Sequence, residues 1–344
     1  LKKIIVTGST GYIGSHTLID LIENGYTPIS VDNESRSNAK ILVGVENITH
    51  QKITHYKAEL CDEAAVKAIF EAEGSISGII HFAAYKTVPE SVSHPLRYYR
   101  NNLVSLMNLL EAADSYRVPA FIFSSSCSVY GNVTQLPVTE TTPLSPAESP
   151  YGNTKKIGEE MIRDFSKVSN AKYIALRYFN PVGAHPSGLI GELPLGKPEN
   201  LMPLIIEAAT GQRPHLSVFG SDYPTRDGTC IRDYVHVSDI AHAHTLAIGY
   251  LLHHEQAPAF DVLNMGNGNG VTVKELIDTF QEVNQVEVPF IFTHRRPGDV
   301  IAVYSDNTKT NKILNWNPRY TIRDICASAW AWEKFRLSFF NNEN

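Results

Sequence analysis

The chain of 344 residues exceeds one average domain and can bury a large core, so two lobes are the natural expectation. A hydrophobic content of 43% with 19% charged residues excludes a disordered chain. The formal charge of −6, with no basic run to offset it, argues against a nucleic-acid surface; an anionic ligand must then be held by a few placed arginines and backbone amides.

Residues 2–7 form a short β-branched run, and Gly8-Ser9-Thr10-Gly11-Tyr12-Ile13-Gly14 follows at once. A helix-period segment then covers residues 15–24, with Gly25 placed to end it. Strand, glycine turn and helix are the setting of a dinucleotide fingerprint. Gly8 suits the tight turn, Gly11 a close approach to pyrophosphate, and Gly14 close helix–strand packing. The spacing G-x-x-G-x-x-G is one residue longer than the usual form, so the glycines alone fit a structural turn equally well. A second strand over 27–31 ends in Asp32, 18 residues after Gly14. A carboxylate there can accept from a ribose 2′-OH and repel a 2′-phosphate, which favours NAD over NADP; an ordinary surface Asp is the alternative.

The pattern repeats. Residues 53–57 precede a helix capped by Asp62, and 78–82 precede a helix over 96–114. Residues 121–123 lead to a helix starting near Tyr151, and 173–178 close the series. Such alternation predicts an α/β fold with a doubly wound, parallel, Rossmann-type sheet. Ligands in these sheets lie beyond the carboxyl ends of the strands, where His81-Phe82-Ala83-Ala84 and Ser124-Ser125-Ser126 stand. Tyr151-x-x-x-Lys155 follows Pro150 and puts both side chains on one helical face above that crevice. With 16 Tyr and 16 Lys, chance supplies about 0.7 such spacings, so position and not spacing identifies a catalytic pair.

These segments resemble the extended short-chain dehydrogenase/reductase family, through G-S-T-G-Y-I-G, H-F-A-A, S-S-S-C-S-V-Y-G and Tyr151-x-x-x-Lys155. Within it the chain is most similar to the UDP-glucose/UDP-galactose 4-epimerase family. That likeness rests on G-Y-I-G-S-H-T, P-L-R-Y-Y-R-N-N, S-P-Y-G-N-T-K, L-R-Y-F-N-P-V-G-A-H-P-S-G, N-L-M-P, D-G-T-C-I-R-D-Y-V-H-V and R-R-P-G-D-V, and spans nearly the whole chain. The resemblance implies Ser126, Tyr151 and Lys155 as the catalytic set, working with tightly held NAD on a UDP-hexose. Tyr151 would exchange the proton of the sugar 4-OH, Lys155 would favour the phenolate, and Ser126 would hold the substrate oxygen. Related 4,6-dehydratases carry an Asp-Glu pair right after the serine or threonine, whereas this chain has Cys127 and Ser128, which argues against dehydration.

The family further implies cofactor contacts at Gly8, Gly11, Tyr12, Ile13 and Gly14, then at Asp32, Asn33, Glu59 and Leu60. Others are implied at Phe82, Ala83, Ala84 and Lys86, and at Asn101, Ser124 and Tyr178, with Tyr151 and Lys155 shared. For the substrate it implies Lys86, Ser126, Tyr151, Phe179 and Asn180, with Asn200, Leu201, Ser217 and Phe219. Arg232 and Arg296 would hold the diphosphate, Asp299 the uridine ribose, and Val303 the sugar pocket, where a small residue admits N-acetylated sugars. Surface salt bridges are the alternative role for the two arginines. Departures from the family pattern are Pro89, Ser105-Leu106 and Glu59.

A Gly- and Pro-rich stretch over 181–200 marks a boundary near residue 180. It separates an NAD-binding domain (1–180) from a smaller mixed α/β, mainly UDP-sugar-binding domain (181–344). The chain is expected to return to the first near 233–264, because 260–264 reads as a buried strand. Gly266-Asn267-Gly268-Asn269-Gly270 lacks a P-loop ending and reads as a flexible turn, and His242, His244, His253 and His254 lack zinc spacing, so no metal is expected. Cys61, Cys127, Cys230 and Cys326 are far apart and suit reduced thiols, with Cys127 packed and not a nucleophile. With no long apolar segment, neither a signal peptide nor a membrane span is expected, and the location is expected to be cytoplasmic. A homodimer is the family expectation.

Overall fold

The computed structural model describes residues 2–133, 135–193, 195–296 and 299–341, so Pro297 and Gly298 of the R-R-P-G-D-V block lie outside the described residues. The first half alternates as its periodicity predicts: β1 (Lys3–Thr7), α1 (Tyr12–Glu23), β2 (Thr27–Asp32), α2 (Ile41–Thr49), β3 (Thr54–Lys57) and α3 (Glu63–Glu73). Then come β4 (Gly78–His81), α4 (Val88–Ser93), α5 (Pro95–Ser115), β5 (Ala120–Ser126), α6 (Pro150–Phe165) and β6 (Lys172–Tyr178). Local chemistry sets the ends. The Asp62 carboxylate accepts from the Ala64 and Ala65 amides at 2.9 and 3.3 Å, and Ser149 Oγ accepts from Gly152 N at 3.1 Å ahead of Pro150.

Two boundaries differ from expectation. The first helix begins at Tyr12, not residue 15, because Gly11 already serves as its N-cap and Gly14 falls inside the first turn. The fifth strand runs through Ser126, well past residue 123, since all three serines pair with β6.

The second half contributes β7 (Asn180–Val182), α7 (Leu201–Ala209), β8 (Leu216–Phe219), β9 (Ile231–Arg232), β10 (Tyr234–His236) and α8 (Val237–His253). After them come β11 (Phe260–Met265), β12 (Val271–Thr272), α9 (Val273–Asn284), β13 (Phe290–Thr293), β14 (Ala302–Val303), α10 (Thr308–Leu314) and α11 (Ile322–Asn341).

The main sheet has seven strands in the order β11-β6-β5-β4-β1-β2-β3, and every neighbouring pair is parallel. Strands β4 and β5 are buried along their whole length, as a sheet covered on both faces requires. One core, with Ile4, Ile122, Leu176 and α8 residues such as Ile240, fills one face; the other, with Phe70, Leu106, Phe121 and Ile162, fills the opposite face. Strand order reverses at β1, between β2 and β4, and the crevice there opens above the Gly8 loop.

A third core, with Met202, Ile205, Val218, Leu276 and Phe280, joins α7, β8 and α9. Small sheets β7–β10, β8–β13 and β12-β9-β14 lie beside it. The 266–270 loop is tied down instead of flexible: buried Asp233 accepts from Asn267 N, Gly268 N and Ser305 N at 2.6, 3.2 and 2.9 Å. His242 faces Asp20 at 3.2 Å, while His244 is buried against Phe82. Among the described residues no helix is long and apolar enough to cross a membrane.

Candidate active site

The crevice is built first from backbone. Gly8 has φ +66°, and a Cβ there would meet Ala83 N at 2.7 Å. A Cβ on Gly14 would lie 2.8 Å from Ser9 Cα and closer still to the Gly8 carbonyl oxygen; one on Gly11 would sit 3.0 Å from that oxygen. Only glycines let the turn fold this tightly at the start of α1. Tyr12 Oη donates to the Gly183 carbonyl at 2.5 Å, and Ile13 packs into the core, fixing the helix start. Ala83 and Ala84 follow β4 at the other wall, with Phe82 4.5 Å from the His244 ring.

At the end of β2 the Asp32 carboxylate is 8% exposed and accepts from Thr10 N, Glu34 N and Ser37 Oγ at 3.2, 2.8 and 3.1 Å. Beside it Asn33 donates to Glu59 at 2.8 Å, Leu60 is buried, and Cys61 N donates to the same Glu59 at 3.0 Å. Glu59 thus ties the segment after β3 to the end of β2. Asn101 donates to Asn102 at 2.9 Å, and Asn102 reaches Thr154 on α6 at 3.0 Å. A glycine cradle at a helix start, a carboxylate at the end of β2 and small residues on the far wall fit a dinucleotide.

The carboxyl end of β5 and the first turns of α6 meet over this cleft. Burial pushes the Tyr151 phenol up to about 12, against the downward pull of its hydrogen bond with Ser126. Lys155, one turn on, is 5% exposed, donates to the Ser124 carbonyl at 2.6 Å and lies 5.0 Å from the Phe123 ring centre. Burial pushes its ammonium down to about 7, and the Glu159 carboxylate opposes that shift. Ser126 Oγ also accepts from Ser128 N at 3.2 Å. Tyr178, across on β6, is hydrogen-bonded to Ser124, and burial raises its phenol. Burial lifts the Cys127 thiol to about 12, which leaves it protonated and unsuited to nucleophilic attack.

In the second half of the chain Arg232, Arg296 and Asp299 come together. Asp299 accepts from Arg296 at 2.7 Å and lies 3.6 Å from Arg232, whose guanidinium also donates to the Val300 carbonyl at 2.6 Å. Arg296 sits 5.5 Å from the ring centre of Phe219, which is 42% exposed at the end of β8, two residues after Ser217. Val303 is in register with Arg232 and packs on a small cluster containing buried Phe179, next to Asn180 on β7. Asn200 caps α7 ahead of Leu201 but donates its side chain to Glu192 at 2.6 Å. Glu192 lies 3.6 Å from Lys86, so it joins two expected ligand contacts; a lone Glu in a Gly- and Pro-rich stretch gave no sign of this. Also unforeseen is buried Glu159 beneath Lys155.

Comparison with known proteins agrees with this arrangement. The family model described as GDP-mannose 4,6 dehydratase matches residues 5–329. A UDP-glucose 4-epimerase of Bacillus subtilis is 44% identical over 340 residues, covering 98% of this chain and 99% of that protein. The crystal structure of a UDP-glucose-4-epimerase from Stenotrophomonas maltophila, with bound NAD and formylated UDP-arabinopyranose, superposes with TM-score 0.94 at 40% identity, covering 98% and 99% of the two chains. The UDP-Glc/GlcNAc 4-epimerase of Campylobacter jejuni gives TM-score 0.83 at 37% identity, covering 97% and 100%. By this identity and coverage, and with the glycine cradle and the buried Tyr151–Lys155 pair in place, the chain belongs to the UDP-glucose 4-epimerase family of extended short-chain dehydrogenase/reductases.

Proposed function

We propose that the chain interconverts UDP-galactose and UDP-glucose by inverting C4 through a 4-keto sugar, using NAD that stays bound. The observation that carries this is Tyr151, hydrogen-bonded to Ser126 at the carboxyl end of β5, with Lys155 one turn away. NAD supplies the acceptor and donor for the C4 hydride. The glycine cradle of Gly8, Gly11 and Gly14 takes its pyrophosphate, and Asp32 its adenosine ribose.

Tyr151 accepts the 4-OH proton and returns it after the keto sugar presents its other face. A phenol held up at about 12 is a poor match for that task at neutral pH; a nearby cation lowers it, and Lys155, one turn on along the same face of α6, is the residue to supply one. Ser126 both donates and accepts, so it holds the sugar oxygen in either oxidation state. Arg232 and Arg296 meet the diphosphate by exchanging Asp299 for phosphate oxygens, which frees Asp299 for the uridine ribose. Phe219 offers an exposed ring to the uracil, and Asn180, Asn200, Leu201, Ser217 and Lys86 line the remaining path.

Small Val303 beside Phe179 supports turnover of UDP-GalNAc and UDP-GlcNAc as well. Residues 1–180, with the returning 233–264 segment, serve as the NAD-binding domain, and the rest of 181–344 clamps the UDP-sugar. A homodimer is supported by the exposed apolar run Val88, Val92 and Leu96 on α4 and α5, and a cytoplasmic setting by the four unpaired thiols.

An NMR time course with UDP-galactose and no added NAD tests the function. UDP-glucose without net NADH is expected; net NADH with an oxidised sugar overturns the epimerase reading. UDP-GalNAc run in parallel yields UDP-GlcNAc if Val303 opens the pocket, and no product sinks that extension. Light scattering reads the dimer directly.

A further inference from the structure

Beneath the reacting groups lies a buried polar network to which the chemistry above assigns no part. Glu159 is 1% exposed and Arg177 2%. Arg177 Nε donates to Glu159 Oε1 at 2.8 Å and Nη2 donates to Oε2 at 2.5 Å, a two-pronged pair. Ser125 Oγ adds a third bond to Oε1 at 2.6 Å. On its far side the guanidinium donates to Tyr130 Oη at 3.1 Å and lies 4.9 Å from that ring centre, and Tyr130 Oη donates to Asn264 on β11 at 2.6 Å.

The network touches every element that carries chemistry. Glu159 is one turn beyond Lys155 and two beyond Tyr151 on α6, all on one face. Ser125 stands between Ser124 and Ser126 on β5, and Arg177 immediately precedes Tyr178 on β6. Ser125 and Arg177 turn toward α6, whereas Ser124 and Tyr178 meet on the opposite face of the sheet. A fully buried ion pair adds little stability over well-packed apolar residues of the same volume. What it adds is direction, because a fork of two bonds is satisfied in one alignment of helix and strand only.

We propose that Glu159 and Arg177, joined by Ser125 and Tyr130, are positioning residues that fix the register of α6 on β5 and β6 and thereby the placement of Tyr151 and Lys155 against Ser126. This rests on the epimerase reading. Misplacing a reacting group by about 1 Å costs on the order of 10²-fold in turnover, without an equal cost in ground-state binding.

The test is UDP-galactose turnover by the purified holoenzyme. Replacing the pair by an apolar one, Glu159→Leu with Arg177→Met, removes direction and both charges of the pair together. The Glu159 charge that favours the Lys155 ammonium goes with them, whereas Tyr130→Phe and Ser125→Ala leave it in place. The expected result is a folded, NAD-containing protein with kcat down about 10²-fold and KM within about threefold of wild type. Tyr130→Phe and Ser125→Ala are milder and should each lower kcat about fivefold at constant KM. A folded double variant with kcat within about threefold of wild type overturns the proposal, as does a loss traced to emptied cofactor sites. If the double variant does not fold, unchanged kcat in both milder variants overturns it, and a fall in kcat at constant KM supports it. A wild-type chain inactive on UDP-galactose overturns the epimerase reading, and this proposal with it.

Discussion

Lys155 sets stability against chemistry more sharply than any other residue of the site. Its ammonium is buried against Phe123 and Ser124, and burial pushes it from 10.5 down to about 7. The unfolded chain therefore binds the extra proton between those two values. Wild-type stability rises with pH across that window, and the burial penalty is fully present below about 7. At about 1.36 kcal/mol per pH unit the penalty is at most about 5 kcal/mol. Lys155→Met removes it, but loses the bond to the Ser124 carbonyl, about 1 kcal/mol, and fits the space imperfectly. A net gain of about 2 kcal/mol near pH 6 remains, which for a chain of this size is a rise of about 3 °C in apparent Tm. Near pH 10 the wild-type amine is neutral in the folded state and only about 1 kcal/mol of the penalty is left, so the order should reverse, with the variant less stable than wild type by about 2 kcal/mol. Turnover should fall about 10²- to 10⁴-fold at every pH. Thermal unfolding of both proteins from about pH 6 to 10, with saturating NAD, checks this. A variant less stable than wild type near pH 6, or a difference that ignores pH, would refute the reasoning.

Tyr151→Phe should lower turnover about 10²- to 10⁴-fold while the protein keeps its NAD, measured as cofactor released on denaturation; unimpaired turnover would remove Tyr151 from the chemistry. Gly14→Ala drives a methyl into the backbone of Gly8 and Ser9, neither of which can swing aside. It should cost about 1–3 kcal/mol and show as lower Tm with depleted NAD, so full retention of cofactor would count against the glycine cradle. Asp32→Asn keeps the shape and removes the charge, and should relax the preference for NAD over NADP by about tenfold in Kd, the equivalent of about 1.4 kcal/mol. An unchanged preference would mean that another group reads the ribose.

The sheet was legible in the sequence because its inner strands are apolar runs closed by a turn residue and its helices carry their own period; the edge strand β3, T-H-Y-K, was placed by its position in the alternation. Its ends were less so: Tyr12 and Ile13 look like part of a glycine turn, yet Gly11 hands the backbone to the helix before them. Tyr151 and Lys155 could be placed because Pro150 starts their helix and the serines end the strand before it. Glu159 could not. A glutamate on a helix ordinarily faces water, and only Arg177, brought alongside by the pairing of β5 and β6, gives it a reason to be buried. Asp233 is similar, since its partners lie on the 266–270 loop and after β14, more than 30 residues away in the chain. Glu192 sits in a stretch without any period. What sequence reading missed, in each case, is a polar group whose partner is distant along the chain.

Strand β11 completes the sheet by pairing with β6, although its last residue, Met265, comes 87 positions after Tyr178. During synthesis at roughly 5–20 residues per second, β6 therefore waits roughly 4–17 s with one side unpaired. An open strand carrying Ile174 and Leu176 is a template for other chains during that interval. A gene shortened to the first half would yield a protein in which the β6 edge stays open.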